Sequence, residues 1–311
     1  MECFAGKEDQ GLQKRLKRDE DYYFKHKKTF KQFGVIVNDD LCVHDDKYYN
    51  ADDGSKLEDF RTKRIKQEWR ILQNGLPDTI YVRGYKGDDQ LLRAVILGGK
   101  GTPFQDGLFF FDISFPPSYP NEPPIVTYHS YGYELHPDLE SDGKVCLGLL
   151  NTSTRKDQWS TNVSKANILK VLMSIQKHIL NPDKPKKRTL SKYFYNLEEK
   201  PLASYEASET FVVNGETMLK VMQKPPKDFE FFVAQHFRDH AKTVLRACLA
   251  YTDLRNPFSL PSSVPASSFT SSSPASRVAV LKNLGALTDD LYSRLYEAFL
   301  MNGSTLLITG S

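Results

Sequence analysis

From Phe60 onward the apolar residues return at helical spacing. Phe60, Ile65, Trp69 and Leu72 share one face, while Arg61, Lys63, Arg64, Lys66, Glu68 and Arg70 fill the others. Asn74-Gly75 and Pro77 end that helix. The period then shortens to two. In 79–85, Ile80 and Val82 alternate with Tyr81 and Arg83; 91–97 is nearly all apolar. In 109–115, Phe109, Phe111, Ile113 and Phe115 point one way, and Phe110, Asp112 and Ser114 the other. Pro116, Pro117, Pro120, Pro123 and Pro124 close that strand and open a fourth at Ile125–Tyr128. Short connections between consecutive strands predict an antiparallel meander. A second helix follows Ser164, its expected N-cap, with a stripe of Ile168, Leu172, Ile175 and Ile179 that Asn181-Pro182 ends. A third follows Pro225-Pro226, with Asp228 as cap and Phe229, Phe232, Val233, Phe237, Ala241, Val244, Leu245 and Cys248 as its stripe. Helix, sheet and helices in that order predict an α+β fold.

Outside this region the pattern thins. Residues 1–59 form a charged lead, basic at Lys14, Arg15, Lys17 and Arg18 and acidic from Asp39 to Asp53, which reads as a solvated tail or adaptor segment. Its aromatics, Phe30 and Phe33 among them, leave room for docking. Residues 256–277 are dominated by Ser and Pro and predict a flexible linker. In 278–311, Leu281, Leu284, Leu291, Leu295 and Phe299 predict one short amphipathic helix with too little apolar surface to fold alone. The expected division is a lead over 1–59, a core over 60–185, a helical extension over 186–255, the linker and the tail.

Composition narrows the function. The 311 residues, 40% hydrophobic, allow one to two domains at roughly 150 residues each and a sizeable core. Lys and Arg number 42 against 39 Asp and Glu; a net charge of +3 gives no reason to expect nucleic acid or a membrane surface as partner. Four scattered cysteines without a Cys-x-x-Cys spacing argue against a disulfide framework or structural zinc and favour a reducing compartment. No apolar run approaches the ~18 residues of a membrane span. The N-terminus is charged from Lys7 and lacks the apolar core of a signal peptide. The expectation is a soluble intracellular protein, cytoplasmic or nuclear.

No Gly-rich phosphate loop, Gly-x-Ser-x-Gly elbow or His-Glu-x-x-His is present. His236 and His240 have i,i+4 spacing, but no third ligand is placed near them and their stripe is core-forming, so they read as packing or solvent-edge residues rather than a metal site. That leaves the loop from His136 to Cys146. Cys146 follows the tight turn Asp142-Gly143. It is either an accessible nucleophile or the inert thiol of a short buried strand, and spacing alone favours the latter.

The residues carry a resemblance that changes that weighting. Phe115-Pro116-Pro117-Ser118-Tyr119-Pro120-Asn121-Glu122-Pro123-Pro124, His136-Pro137-Asp138, Gly143-Lys144-Val145-Cys146-Leu147 and Trp159, in this order, resemble the core of ubiquitin-conjugating enzymes. There a proline-rich strand end leads to a His-Pro-Asn turn, with the catalytic cysteine eight residues after the Asn; Asp138 and Cys146 have that spacing. Thr102–Phe111, the insertion Asn151–Gln158 and Lys224–Phe229 resemble the large plant-type members related to hybrid conjugating-ligating enzymes, which carry a helical C-terminal extension.

The resemblance implies that Cys146 accepts the ubiquitin C-terminal glycine from an activating enzyme as a thioester and passes it to a lysine amine of a protein substrate. No cofactor would be bound, and ATP would be used by the activating enzyme. A thioester is already activated, so the site has to orient the amine, take its proton and stabilise an oxyanion. His136 would be a turn residue. Asp138 stands where the family has Asn, and an ionised carboxylate donates no hydrogen bond to an oxyanion. It could hold the loop, act as a base, or cripple the transfer, and the first is preferred because Asp and Asn hydrogen-bond turn backbones similarly. Asp142 and Asp157 are further candidates for positioning the lysine. Asn121 and Ser160-Thr161-Asn162 depart from the positions that contact a RING ligase, which puts dependence on such a partner in doubt. Alternatives are a non-catalytic scaffold of the same fold that binds ubiquitin or a ligase, and a cysteine hydrolase using Cys146 and His136, for which no third orienting residue is evident.

Overall fold

A computed structural model describes residues 30–37, 41–43, 60–85, 88–152, 159, 166–180, 201–253 and 274–304. The elements are β1 (Phe33–Val37), β2 (Leu41–Val43), α1 (Phe60–Gly75), β3 (Ile80–Tyr85), β4 (Asp88–Leu97), β5 (Leu108–Ser114), β6 (Ile125–Tyr128), α2 (Ile168–Ile175), α3 (Pro201–Gln223), α4 (Glu230–Asp253) and α5 (Pro274–Met301). The α+β expectation holds. Strands β3 to β6 pair antiparallel in sequence order, as the short connections require.

The sheet is larger than the four-stranded meander of the sequence reading. It has six strands in the order β2-β1-β3-β4-β5-β6, with β1 parallel to β3. The two added strands come from the charged lead, which at Phe33–Val37 and Leu41–Val43 is therefore not a solvated tail. Phe33, Val35 and Ile36 are buried, and a five-residue run between charged segments was too short to stand out. Phe30, Lys31 and Gln32 precede β1; residues 1–29, 38–40 and 44–59 of the lead lie outside the described residues.

Both faces of the sheet are covered. Ile80, Val82, Leu92, Ala94, Ile96, Phe109, Phe111 and Ile113 meet Ile65, Trp69 and Leu72 of α1 and Ile168, Val171, Leu172 and Ile175 of α2. On the other face Val95, Leu108 and Phe110 meet α3, α4 and α5 through Phe211, Phe229, Phe237, Leu291, Leu295 and Phe299. This explains why 91–97 reads as continuous hydrophobicity, the signature of a strand buried on both sides. The strand alternation holds: Phe110 faces away from Phe109 and Phe111, and Arg83 away from Val82, each into this second layer. Arg83 is wholly buried, its guanidinium carbon 3.9 Å above the Phe30 ring and 5.3 Å above Phe229, with Nη1 donating to the Lys31 carbonyl.

Three further assignments change. Glu68, read as an outward residue of α1, is buried. Its carboxylate accepts from Tyr119 Oη at 2.8 Å and the Ile168 amide at 2.9 Å, and pairs with Arg64 at 2.9 Å. Asn167, not Ser164, caps α2 by accepting from the Lys170 amide; Ser164 lies outside the described residues. Asp228 does not cap α4: at φ +71° it turns its carboxyl to the Tyr85 hydroxyl. The tail helix is not a short appendage. α5 runs 28 residues, and Leu291, Leu295 and Phe299 are fully buried against α3 and α4. The Ser/Pro stretch before it lies outside the described residues up to 273. No helix among the described residues is long and apolar enough to cross a membrane.

Candidate active site

The site grows from a miniature hairpin. Leu139 and Val145 form an antiparallel bridge and are buried, so by the two-residue period their neighbours Glu140, Lys144 and Cys146 face outward together. The Glu140 amide donates to the Lys144 carbonyl, and the Gly143 amide to the Glu140 carbonyl, closing the turn. Asp142 Oδ1 accepts from the Lys144 amide at 2.9 Å, the local bond that makes Asp a turn residue. Gly143 has φ +92°, and a Cβ there would sit 2.6 Å from the Tyr128 carbonyl oxygen, so conformation and space both demand glycine.

Backbone bonds fix Cys146 from both sides. Its amide donates to the Asp138 carbonyl at 2.9 Å. The Asp138 amide donates to His136 Nδ1 at 3.0 Å, which puts the proton of a neutral imidazole on Nε2. After the cysteine, Thr152 Oγ1 accepts from the Leu147 amide and donates to the Val145 carbonyl. Further back, Trp159 is fully buried against Tyr119 and donates Nε1–H to the Pro120 carbonyl at 2.8 Å, across the cis Tyr119–Pro120 peptide.

The thiol itself is half-buried. Sγ donates to Glu140 Oε1 at 3.1 Å, and the same oxygen accepts from Lys144 Nζ at 2.9 Å. Burial, then Glu140, pushes the Cys146 thiol above its ordinary value; Lys144 pulls the other way. The Glu140 carboxyl is held low by Lys144 and by the thiol bond. The segments on either side of Cys146 line a groove of about 650 Å³, with Pro124, Ile125, Val126 and Leu150 as apolar walls and Asp142, Lys144 and Asn151 at the polar side. The sulfur is therefore neither sealed in an apolar wall nor bare.

Comparison with known proteins agrees with this geometry. Residues 58–208 match the family "Ubiquitin-conjugating enzyme". The chain carries a domain of the ubiquitin-conjugating enzyme family. It is 42% identical over 217 residues to "Probable ubiquitin-conjugating enzyme E2 23" of Arabidopsis thaliana, covering 66% of this chain and 19% of the relative. It is 40% identical over 247 residues to "Probable ubiquitin-conjugating enzyme E2 25" of the same plant, covering 78% and 40%. A 34% match over 138 residues, 42% of this chain and 3% of the relative, is to the human "Dual E2 ubiquitin-conjugating enzyme/E3 ubiquitin-protein ligase BIRC6". The chain thus spans two fifths or less of the length of these relatives.

In this ubiquitin-conjugating domain the structure brings Asp138 and Cys146 together through the backbone, while the Asp138 carboxylate stands 3.8 Å from His136 Nδ1. Asp142 is spent on the turn. Asp157 and Ser160-Thr161-Asn162 lie outside the described residues; Asn121 is exposed. Sequence reasoning missed Glu140 and Lys144. The signal was available: an Asp-Gly turn between apolar Leu139 and Val145 sets Glu140 opposite Lys144. His236 and His240 stack at 4.2 Å against the 102–107 turn. His236 Nε2 meets the Asp106 carbonyl at 2.9 Å, and burial brings its pKa down to about 4.

Proposed function

We propose that this chain carries ubiquitin as a thioester on Cys146 and transfers it to a lysine amine of a protein substrate, after receiving it from an activating enzyme that uses ATP. The observation that supports this most is the placing of the thiol. It is partly open, on the outward side of a hairpin held by backbone bonds, and the segments before and after it, 142–145 and 150–152, line a groove of about 650 Å³. Such a site carries an acyl group and presents it to an amine, and needs no triad to split an amide.

The raised thiol pKa fits a carrier. A thiol of high pKa is a poorer leaving group, so its thioester waits for the intended amine instead of discharging to water. Glu122 and Asp142 line the groove and favour a cationic lysine there. Asp138 keeps the loop through its backbone, and its carboxylate takes no part in holding an oxyanion. Two described cysteines, Cys146 and Cys248, are free thiols, consistent with a reducing cytoplasmic or nuclear setting.

The test is one incubation with activating enzyme, Mg-ATP and ubiquitin. A reductant-sensitive adduct one ubiquitin heavier is expected, and Cys146→Ala should abolish it. Intact protein that remains uncharged would favour a scaffold of this fold; an adduct surviving Cys146→Ala would move the carrier elsewhere.

A further inference from the structure

One carboxylate oxygen holds both a lysine and the thiol. Glu140 Oε1 accepts from Lys144 Nζ at 2.9 Å and from Cys146 Sγ at 3.1 Å, so amine and sulfur lie no more than about 6 Å apart, the length of the two bonds end to end. Lys144 and Cys146 are two residues apart in extended backbone and project from the same side. Glu140 and Lys144 remain substantially exposed, at 40% and 51%, so the four-carbon stem is free to swing toward an acyl carbon on the sulfur.

We propose that Lys144 is a self-modification site: its amine takes the acyl group carried by Cys146, with Glu140 as the positioning residue. The inference rests on the thioester reading above and deepens it by naming an acceptor. In the step, Lys144 Nζ gives a proton to the Glu140 carboxylate and attacks the thioester carbonyl carbon. The C–N bond forms and the C–S bond breaks; the departing sulfur takes that proton back from Glu140, and the second proton of the former ammonium leaves the nitrogen for solvent. Thioester and lysine ammonium become amide, thiol and one released proton, with no further reactant. The arrangement of Lys144 on Glu140 is what an incoming substrate lysine would have to reproduce, so the resident side chain competes for that seat. Lys144 also lines the groove beside the cysteine. An acyl chain fixed to it occupies the entrance and ends turnover of that molecule.

The test charges the full chain with activating enzyme, Mg-ATP and ubiquitin, without substrate. Thioester is read on gels without reductant, and reductant-resistant product is expressed per thioester formed. Peptide mapping of the resistant product is expected to find the Gly-Gly remnant on Lys144, with a yield unchanged by dilution. Lys144→Arg should lower resistant product per thioester roughly tenfold or more, and Glu140→Gln should slow it several-fold, since the gain comes from positioning. Remnants confined to other lysines, a yield that falls with dilution, or undiminished product in Lys144→Arg would overturn the assignment while leaving the thioester standing. Absence of any thioester in the unaltered protein would overturn both.

Discussion

At the scale of single residues, Cys146 is a thiol kept protonated. Burial, and after it the bond that Glu140 accepts from the thiol, favour the neutral form. Removing the carboxylate therefore brings the thiol pKa down and raises the thiolate fraction at a fixed pH. Glu140→Gln is expected to speed iodoacetamide alkylation of Cys146 by about threefold to tenfold at pH 8, read by mass spectrometry of the Cys146 peptide. The advantage should shrink as pH rises past the thiol pKa of the unaltered protein. A slower reaction would mean that Glu140 activates the sulfur rather than restraining it. Cys248, fully buried and pushed up to about 12, should stay unlabelled while the fold persists. The cysteine was legible from its order among four motifs. Glu140 was not, because its role arises only when the Asp-Gly turn folds it across to Lys144.

At the scale of elements, α1 is joined to the rest by more than its apolar stripe. Glu68 ties α1 to the 115–120 turn through Tyr119 and to the start of α2 through the Ile168 amide, with Arg64 beside it. Glu68→Ala leaves a buried hydroxyl and a buried amide without their acceptor and removes the anionic partner of Arg64, which keeps its bond to the Ala166 carbonyl. We expect a loss of about 3 kcal/mol in chemical denaturation, in the range for breaking a buried ionic network. A loss below about 1 kcal/mol would show that solvent replaces the carboxylate there. The helix and the four antiparallel strands were legible from their periods. Glu68 was not, since one inward carboxylate among outward charges leaves the pattern intact. The strands from the lead were hidden for a related reason: β1 has five residues, and its pairing partner β3 lies more than forty positions away.

At the scale of the molecule, the sheet is a middle layer rather than a wall. The tail helix α5 completes the outer layer, where Leu291, Leu295 and Phe299 fill space against α3 and α4. Leu295→Ala should cost about 2–5 kcal/mol and appear as one cooperative transition at lower denaturant. An independent tail would give no change. The extension was legible as helices but not as a layer, because its stripes name no partner until Val95, Leu108 and Phe110 are seen facing them. Arg83 carries the remaining consequence. Its cation is shielded by Phe30 from upstream and Phe229 from downstream of the family-matched span 58–208. A fragment trimmed to 58–208 would strip both rings from a charge with nowhere to go, and bare the oily side of β4 and β5 to water. A fragment worth producing in the laboratory keeps Phe30, Phe229 and α5 together with that span.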